Sequence, residues 1–405
     1  MGVTFAFLAC LYVFCYPLLH GVHAWAQALD LWMLVDGGRY VAHGALPFVY
    51  EGSRAYALPL GMVFMAPASA VMDHWHLVEG APHPLAHPSG YLIIFPWTLL
   101  WGIPLLHSVR RLAWELGLRK GLLRLQVLGA VIVLFPCTYW GHPEDILALL
   151  FIFYGTTRVL QGRFLVAGLL LSIAISCKQW AVVLLPFAFA VAPREHRVRV
   201  CAAGCALPAV LVGLTLGLDW HDAYPALFKP LNMGSSTPGH LSFFATWFGS
   251  HTSEYSRTLG VVVALPIALV LRRWQSPPRL LAALAVLLAL RPFAEAISYS
   301  YYWAPAAMMV GLVGVAVHRR LRWQDWALPV LVIVWAMPRG HESTATIWWL
   351  VQTVLLALLS LQAATSLGRA TWAQNFVVWQ RIKNETKPPI MTAGPPVVGE
   401  ASWIQ

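Results

Sequence analysis

The stretch Phe164-Leu-Val-Ala-Gly-Leu-Leu-Leu-Ser-Ile-Ala-Ile-Ser-Cys177-Lys178-Gln179-Trp180-Ala-Val-Val-Leu-Leu-Pro-Phe-Ala-Phe-Ala-Val-Ala-Pro193 decides the fold. Two apolar runs, 164–177 and 179–193, meet at a tight turn that carries a single lysine, with Arg163 and Arg194 at the far ends. Apolar runs near bilayer length recur along the whole chain. In 405 residues, 59% are hydrophobic, only 11% are charged and 20 are Trp, which excludes an ordinary soluble domain. From Arg110 onward about ten spans are expected. They run over 125–139, 145–160, 164–177, 179–193, 198–217, 258–271, 280–293, 299–317, 326–337 and 345–363.

Orientation follows from charge. The segments around Arg110-Arg111 to Arg124, Arg158 and Arg163, Arg194 to Arg199, Arg272 to Arg279, Arg319 to Arg322 and the tail hold 20 of the 27 Lys+Arg. They hold five of the 17 acids, leaving seven bases against twelve acids on the other side. The basic side is therefore cytoplasmic. The net charge of +10 is a consequence of topology and gives no support to nucleic-acid binding. Before Arg110 lie three apolar segments, 4–20, 55–72 and 89–108, and only two crossings fit a cytoplasmic N-terminus with residues 21–54 outside. Segment 55–72 is expected to be re-entrant or packed along the outer interface, for a total of about twelve spans. Met1 to His20 has neither a basic start nor a small-residue cleavage site and reads as a retained span. Residues 1–368 thus form one all-α polytopic membrane domain, and 369–405 a cytoplasmic tail with Trp372, Lys383 and a Pro-rich end.

Polar residues gather on the outer face. The first outer loop reads Asp30-Leu-Trp-Met-Leu-Val-Asp36-Gly-Gly-Arg39-Tyr40 and runs on through Gly44, Pro47, Phe48 and Tyr50. The others hold Gly141-His142-Pro143-Glu144-Asp145, Lys178, the long 218–257 loop with His240, Arg291 to Glu295, and Arg339-Gly340-His341-Glu342. Ionisable groups at a membrane boundary are costly, and they are usually kept for chemistry or transport.

Structural readings stand beside the functional ones. Asp30 suits an N-cap for an amphipathic helix over Leu31 to His43. Glu144 and Asp145 suit the positive end of the helix that follows. Lys178 suits a snorkelling cation, although a lysine on the outer side defies the orientation rule. Arg291 and Glu295, four apart, suit a helix-face ion pair. Tyr299, Tyr301 and Tyr302 read as interfacial belt residues, as do Trp25, Trp101, Trp140, Trp220 and Trp303. His74, His76, His83 and His87 are irregularly spaced and do not read as a metal site, and the scattered outer acids offer no compact divalent-ion site. The six cysteines lie in or beside apolar runs, which argues against a disulfide framework. Asn384-Glu385-Thr386 matches a glycosylation sequon on the cytoplasmic side and is discounted.

The first-loop pattern of Asp30, Tyr40, Gly44 and Pro47-Phe48, with Tyr56 and Pro59 beyond, resembles the GT-C membrane glycosyltransferases. More narrowly it resembles glycosyltransferase family 87, the polyprenyl-phosphate-mannose-dependent mannosyltransferases of actinobacteria. His142-Pro143-Glu144-Asp145 and Lys178 match that family's polar outer motif and its lysine between paired spans. Phe48 replaces the usual Tyr, Leu58-Pro59 stands where a Pro-Pro pair is common, and Asp36 is an additional carboxylate. The resemblance implies a GT-C-like bundle with outer-face loops and interfacial helices, and an inverting transfer at the outer face of the cell membrane. A sugar, mannose by the resemblance, would pass from a polyprenyl-phosphate donor to the hydroxyl of a lipid or glycolipid acceptor, with no cofactor and with no residue assigned as a metal ligand. Asp30 would take the hydroxyl proton. Lys178, Arg291, His142 and His341 would face the departing phosphate. Asp36, Arg39, Glu144, Asp145, His240 and Glu295 complete the candidate substrate-binding residues. A transporter or flippase of polyprenyl lipids or small solutes remains the alternative, since it too would carry charges in a membrane cavity.

Overall fold

The computed structural model describes residues 29–51, 58–77, 91–228, 252–271, 276–294, 299–335 and 345–368. Among them every regular element is a helix and none is a strand. In chain order these are α1 (Leu29–Ala42), α2 (Pro59–His74), α3 (Tyr91–Glu115), α4 (Leu122–Gly129), α5 (Phe135–Tyr139), α6 (Pro143–Leu160) and α7 (Phe164–Cys177). There follow α8 (Leu185–Val191), α9 (Arg197–Leu218), α10 (Trp220–Phe228), α11 (Thr252–Leu271), α12 (Pro277–Ala294), α13 (Ser300–His318), α14 (Trp323–Trp335) and α15 (Ala345–Gly368).

Helix α13 is the axis of the bundle. Every residue from Ser300 to Ala316 is buried, and Trp303 and Tyr301 are among the largest fully buried side chains. Its small residues admit close neighbours: Gly311 faces the Trp326 ring and Gly314 faces Asp325, both on α14. Close approach at glycine is how apolar helices gain dispersion contacts where hydrocarbon supplies no hydrophobic drive. At the perimeter the pattern reverses. Val198 and Val210 on α9, Val262 and Val270 on α11, Leu331 on α14 and Leu361 on α15 are all exposed. Apolar surface spread over so many helices fits a membrane-associated protein better than one covered by water.

Among the described residues two helical stretches, Arg194–Leu218 and Ser300–His318, are long and apolar enough to cross a membrane. Other expected spans are irregular for local reasons. The 125–139 run is helical but passes through a π-helical stretch, Ala130–Leu134, between α4 and α5. The 179–193 run opens as a 3-10 helix, Gln179–Leu184, and becomes α-helical only at Leu185, beside Pro186. Part of the 218–257 loop is also helical, since it contains α10 and the start of α11.

The described part of segment 55–72 enters α2 at Pro59. It lies alongside α1 and runs in the same direction, with Leu34 beside Gly61, Gly37 beside Met62 and Gly38 beside Ser69. Asp30 lies inside α1, one residue after its first described position, so it does not precede the helix as a cap. The far end of α1 closes at Gly44 (φ 78°), where Ala45 N–H bonds Tyr40 O at 2.8 Å and Gly44 N–H bonds Val41 O at 3.0 Å. These two bonds are the Schellman closure, which requires a left-handed residue.

Candidate functional site

The same closure builds the site. Helix α5 ends at Gly141 (φ 71°), where His142 N–H bonds Cys137 O at 2.8 Å and Gly141 N–H bonds Thr138 O at 3.1 Å. Pro143, which has no N–H to lose, then starts α6. The reversal aims His142, Glu144 and Asp145 into the bundle, with both acids in the first turn of α6. There the positive end of the helix dipole favours them. Replacing Gly141 by valine is expected to cost roughly 1–2 kcal/mol, the penalty of a left-handed β-carbon. A thermal melt in detergent measures it, and an unchanged melting temperature would refute the assigned turn.

Two further segments meet these acids. The turn after α7 brings Lys178, whose Nζ lies 2.5 Å from Glu144 Oε1 and 3.6 Å from Asp145 Oδ2. The last turn of α12 brings Arg291, which donates to Asp145 Oδ1 at 2.5 Å. Trp180 Nε1 donates to that same oxygen at 2.6 Å. His142 Nδ1 lies 2.8 Å from Glu144 Oε1 and 3.5 Å from Lys178 Nζ. Glu144 and Asp145 are 2% and 1% exposed, and Arg291 is 5% exposed. Burial pulls the Lys178 ammonium toward neutrality, but the two carboxylates outweigh it and hold its pKa above the ordinary value.

Aromatic rings wall the cluster. The Arg291 guanidinium lies 3.8 Å from the Tyr302 ring centre and 5.0 Å from that of Trp180. His142 stacks on Tyr301 at 4.1 Å, and Trp140 Nε1 donates to Ser300 Oγ at 2.8 Å. Arg291 pairs with Asp145 across 146 residues, while Glu295, its expected helix-face partner, lies outside the described residues. Two expectations are thereby corrected. Tyr301 and Tyr302 are buried walls of an ionic site and not belt residues. The outer acids do form a compact group, because ligand atoms of His142, Glu144 and Asp145 lie within 4.8 Å of one another. Cys137 and Cys177 are both buried and free.

Five candidates, His142, Glu144, Asp145, Lys178 and Arg291, thus meet in one place. The first-loop helices reach it through Gly61, where an added methyl group would lie 3.3 Å from Glu144 Cβ and 3.4 Å from Cys177 O. Residue 30 stands one helical turn before Leu34, which also packs on Gly61. Its side chain, His240, Glu295 and His341 lie outside the described residues, as do His83 and His87.

Asp36 and Arg39 stand elsewhere. Arg39 donates to Asp73 Oδ1 at 2.9 Å and lies 3.4 Å from Asp36 Oδ1, and His43 bonds Asp73 Oδ2 at 2.9 Å. Burial raises the Asp36 pKa against the pull of Arg39. The His43 hydrogen bond lowers that of Asp73, with help from Arg39. A depressed carboxylate contributes stability above its unfolded value, here about 3.8, that is lost as pH falls through the folded value. Asp73→Asn is expected to cost no more than ~1 kcal/mol at neutral pH, less in high salt, and nothing at pH values that protonate Asp73. Melting curves at two salt concentrations measure this, and a cost that salt leaves unchanged would refute the exposed-pair assignment.

An apolar groove opens farther along α6, walled by Ile152, Val159, Leu171, Phe187, Val200 and Leu284 among others. It holds about 550 Å³ including its open mouth. Among the described residues Thr156 is the only polar side chain in its wall, and its hydroxyl donates to Ile152 O at 2.8 Å. Ile152 and Leu284 are each seven residues from the bonded pair Asp145 and Arg291, so the groove begins roughly 10 Å from the ion cluster.

Sequence reasoning missed Trp180, Tyr301, Tyr302 and Ser300 as parts of the site. The signal that could have found them is proximity to charge, since Trp180 follows Lys178 by two residues and the Tyr299-Ser300-Tyr301-Tyr302-Trp303 run follows Arg291 closely. The chain matches no family model, no curated protein and no solved structure.

Proposed function

We propose that this chain is a polytopic membrane glycosyltransferase of the GT-C type, resembling glycosyltransferase family 87. It would move a sugar, with mannose as the expectation, from a polyprenyl-phosphate donor to a lipid or glycolipid hydroxyl at the outer face of the cell membrane. One observation carries the reading: the buried cluster of His142, Glu144, Asp145, Lys178 and Arg291 abuts Gly61, against which the helix bearing Asp30 also packs. A head group and an apolar tail need adjacent polar and apolar sites, and the groove some 10 Å from the cluster supplies the second.

The chemistry balances. The acceptor oxygen attacks the anomeric carbon and forms the new C–O bond as the bond to the phosphate oxygen breaks, inverting the centre. The hydroxyl proton passes to the Asp30 carboxylate. The bonding electrons leave on the polyprenyl phosphate, whose charge Lys178 offsets because its side chain, 18% exposed, is the least buried of the cluster's charged groups. Arg291 holds Asp145 in place.

The second reading, a transporter or flippase, is favoured by one feature, a buried histidine bonded to a carboxylate inside an apolar bundle. Purified protein incubated with radiolabelled polyprenyl-phosphate-mannose and a lipid extract separates the two. Label in a new lipid is the expected result. No label in a new lipid, with labelled donor crossing proteoliposome membranes instead, would overturn the transferase in favour of the flippase.

A further inference from the structure

We infer that the Lys178 ammonium occupies the cation position of a three-ligand centre formed by His142, Glu144 and Asp145, so that a fixed cation stands where a divalent ion would otherwise bind. The inference does not rest on the transferase reading and holds whichever reaction the chain performs.

The donor set is that of a metal centre. One imidazole nitrogen and two carboxylates bring ligand atoms within 4.8 Å of one another, the only such group among the described residues. Lys178 Nζ sits among them, 2.5 Å from Glu144 Oε1, 3.5 Å from His142 Nδ1 and 3.6 Å from Asp145 Oδ2. Glu144 Oε2 and Asp145 Oδ2 are buried and accept no hydrogen bond, so the centre has coordinating capacity that the lysine does not use.

Charge explains why the ammonium holds the position. Zinc with bonds of about 2.0–2.2 Å keeps its ligand atoms within roughly 4.4 Å of each other. Here His142 Nδ1 lies 2.8 Å from Glu144 Oε1 and 3.9 Å from Asp145 Oδ2, so size admits either cation and charge decides between them. Glu144 and Asp145 are balanced by Lys178 and Arg291. A divalent ion added to this neutral set would leave two uncompensated positive charges in a buried site, which is strongly disfavoured. Removing Lys178 reverses the balance: one net negative charge remains, with three inward ligands and a space the width of an ammonium. The lysine thus delivers positive charge to the least buried edge of the cluster, tethered covalently and never lost by dissociation.

The test titrates Co²⁺ into the full chain in detergent after chelator treatment, followed by visible d–d absorption and calorimetry. Wild type is expected to show no saturable binding. K178A is expected to bind one ion per chain at least ~100-fold more tightly, the scale for removing one like charge from contact distance. The double variant K178A/E144Q should lose that binding, and Co²⁺ should raise the melting temperature of K178A but not of wild type. Should K178A fold poorly, K178Q keeps the volume and carries the same expectation, and rescue of K178A folding by Co²⁺ also supports the centre. Saturable binding by wild type that E144Q abolishes would overturn the inference. So would a monodisperse K178A or K178Q that binds no ion.

Discussion

Replacing Asp145 with alanine is expected to destabilise the protein by about 3–5 kcal/mol, the cost of leaving a buried cation without its partner. Arg291 is 5% exposed and its guanidinium is hemmed by Tyr302, Trp180 and Tyr301, so it cannot easily reach water. The same substitution strips the Trp180 indole of its acceptor. Asp145→Asn keeps the shape and one acceptor oxygen, and should fall between alanine and wild type. The double variant Asp145→Ala/Arg291→Met removes both charges and should recover much of the loss, because a missing buried pair costs far less than a broken one. Melting of the four proteins in one detergent is the measurement. If the alanine variant melts with wild type, the pair is not what holds α12 to α6.

Asp30→Ala is expected to lower the turnover of sugar transfer by roughly 10²–10⁴, the usual contribution of a positioned general base. Its effect on melting should be smaller than that of Asp145→Ala. That contrast with Asp145 is diagnostic, since one residue is expected to matter for rate and the other for the fold. Asp30→Asn should be as inactive as alanine, because an amide cannot take the proton. Turnover within threefold of wild type would remove Asp30 from the mechanism and turn attention to Asp36 and Glu144. Glu144 is the better placed of the two, since Asp36 belongs to the separate network with Arg39 and Asp73.

Local chemistry made part of the site legible in the chain itself. A lysine between two apolar runs and a His-Pro-Glu-Asp turn at a helix start are anomalies of cost, visible without coordinates, and both lie in the cluster. Arg291 was legible as a charge but not as a partner. The i+4 rule points it at Glu295, whereas an antiparallel bundle brings it to Asp145, 146 residues away. Tyr301 and Tyr302 look interfacial in sequence because amphipathic rings are common there, and only packing shows that they enclose a guanidinium. Asp36 and Arg39 share a helix with Asp30, yet their partner Asp73 lies on α2, twelve residues or about 18 Å along that helix from Gly61.

By itself the sequence determined a helical, apolar chain and where its costly polar residues fall, because hydropathy and helix period are local properties. Its glycines likewise set where α1 and α5 end, since Gly44 and Gly141 take backbone angles that other residues resist. Tertiary structure alone decided which charges meet. Four of them, Glu144, Asp145, Lys178 and Arg291, converge from three separate segments because a buried charge is tolerated only where its opposite can be brought to contact, and contact between distant segments is a property of packing. The same packing turned apparent spans into broken helices, with a π-helical stretch before α5 and a 3-10 turn before α8. In the second of these the 3-10 turn carries Trp180, whose indole N–H donates to Asp145.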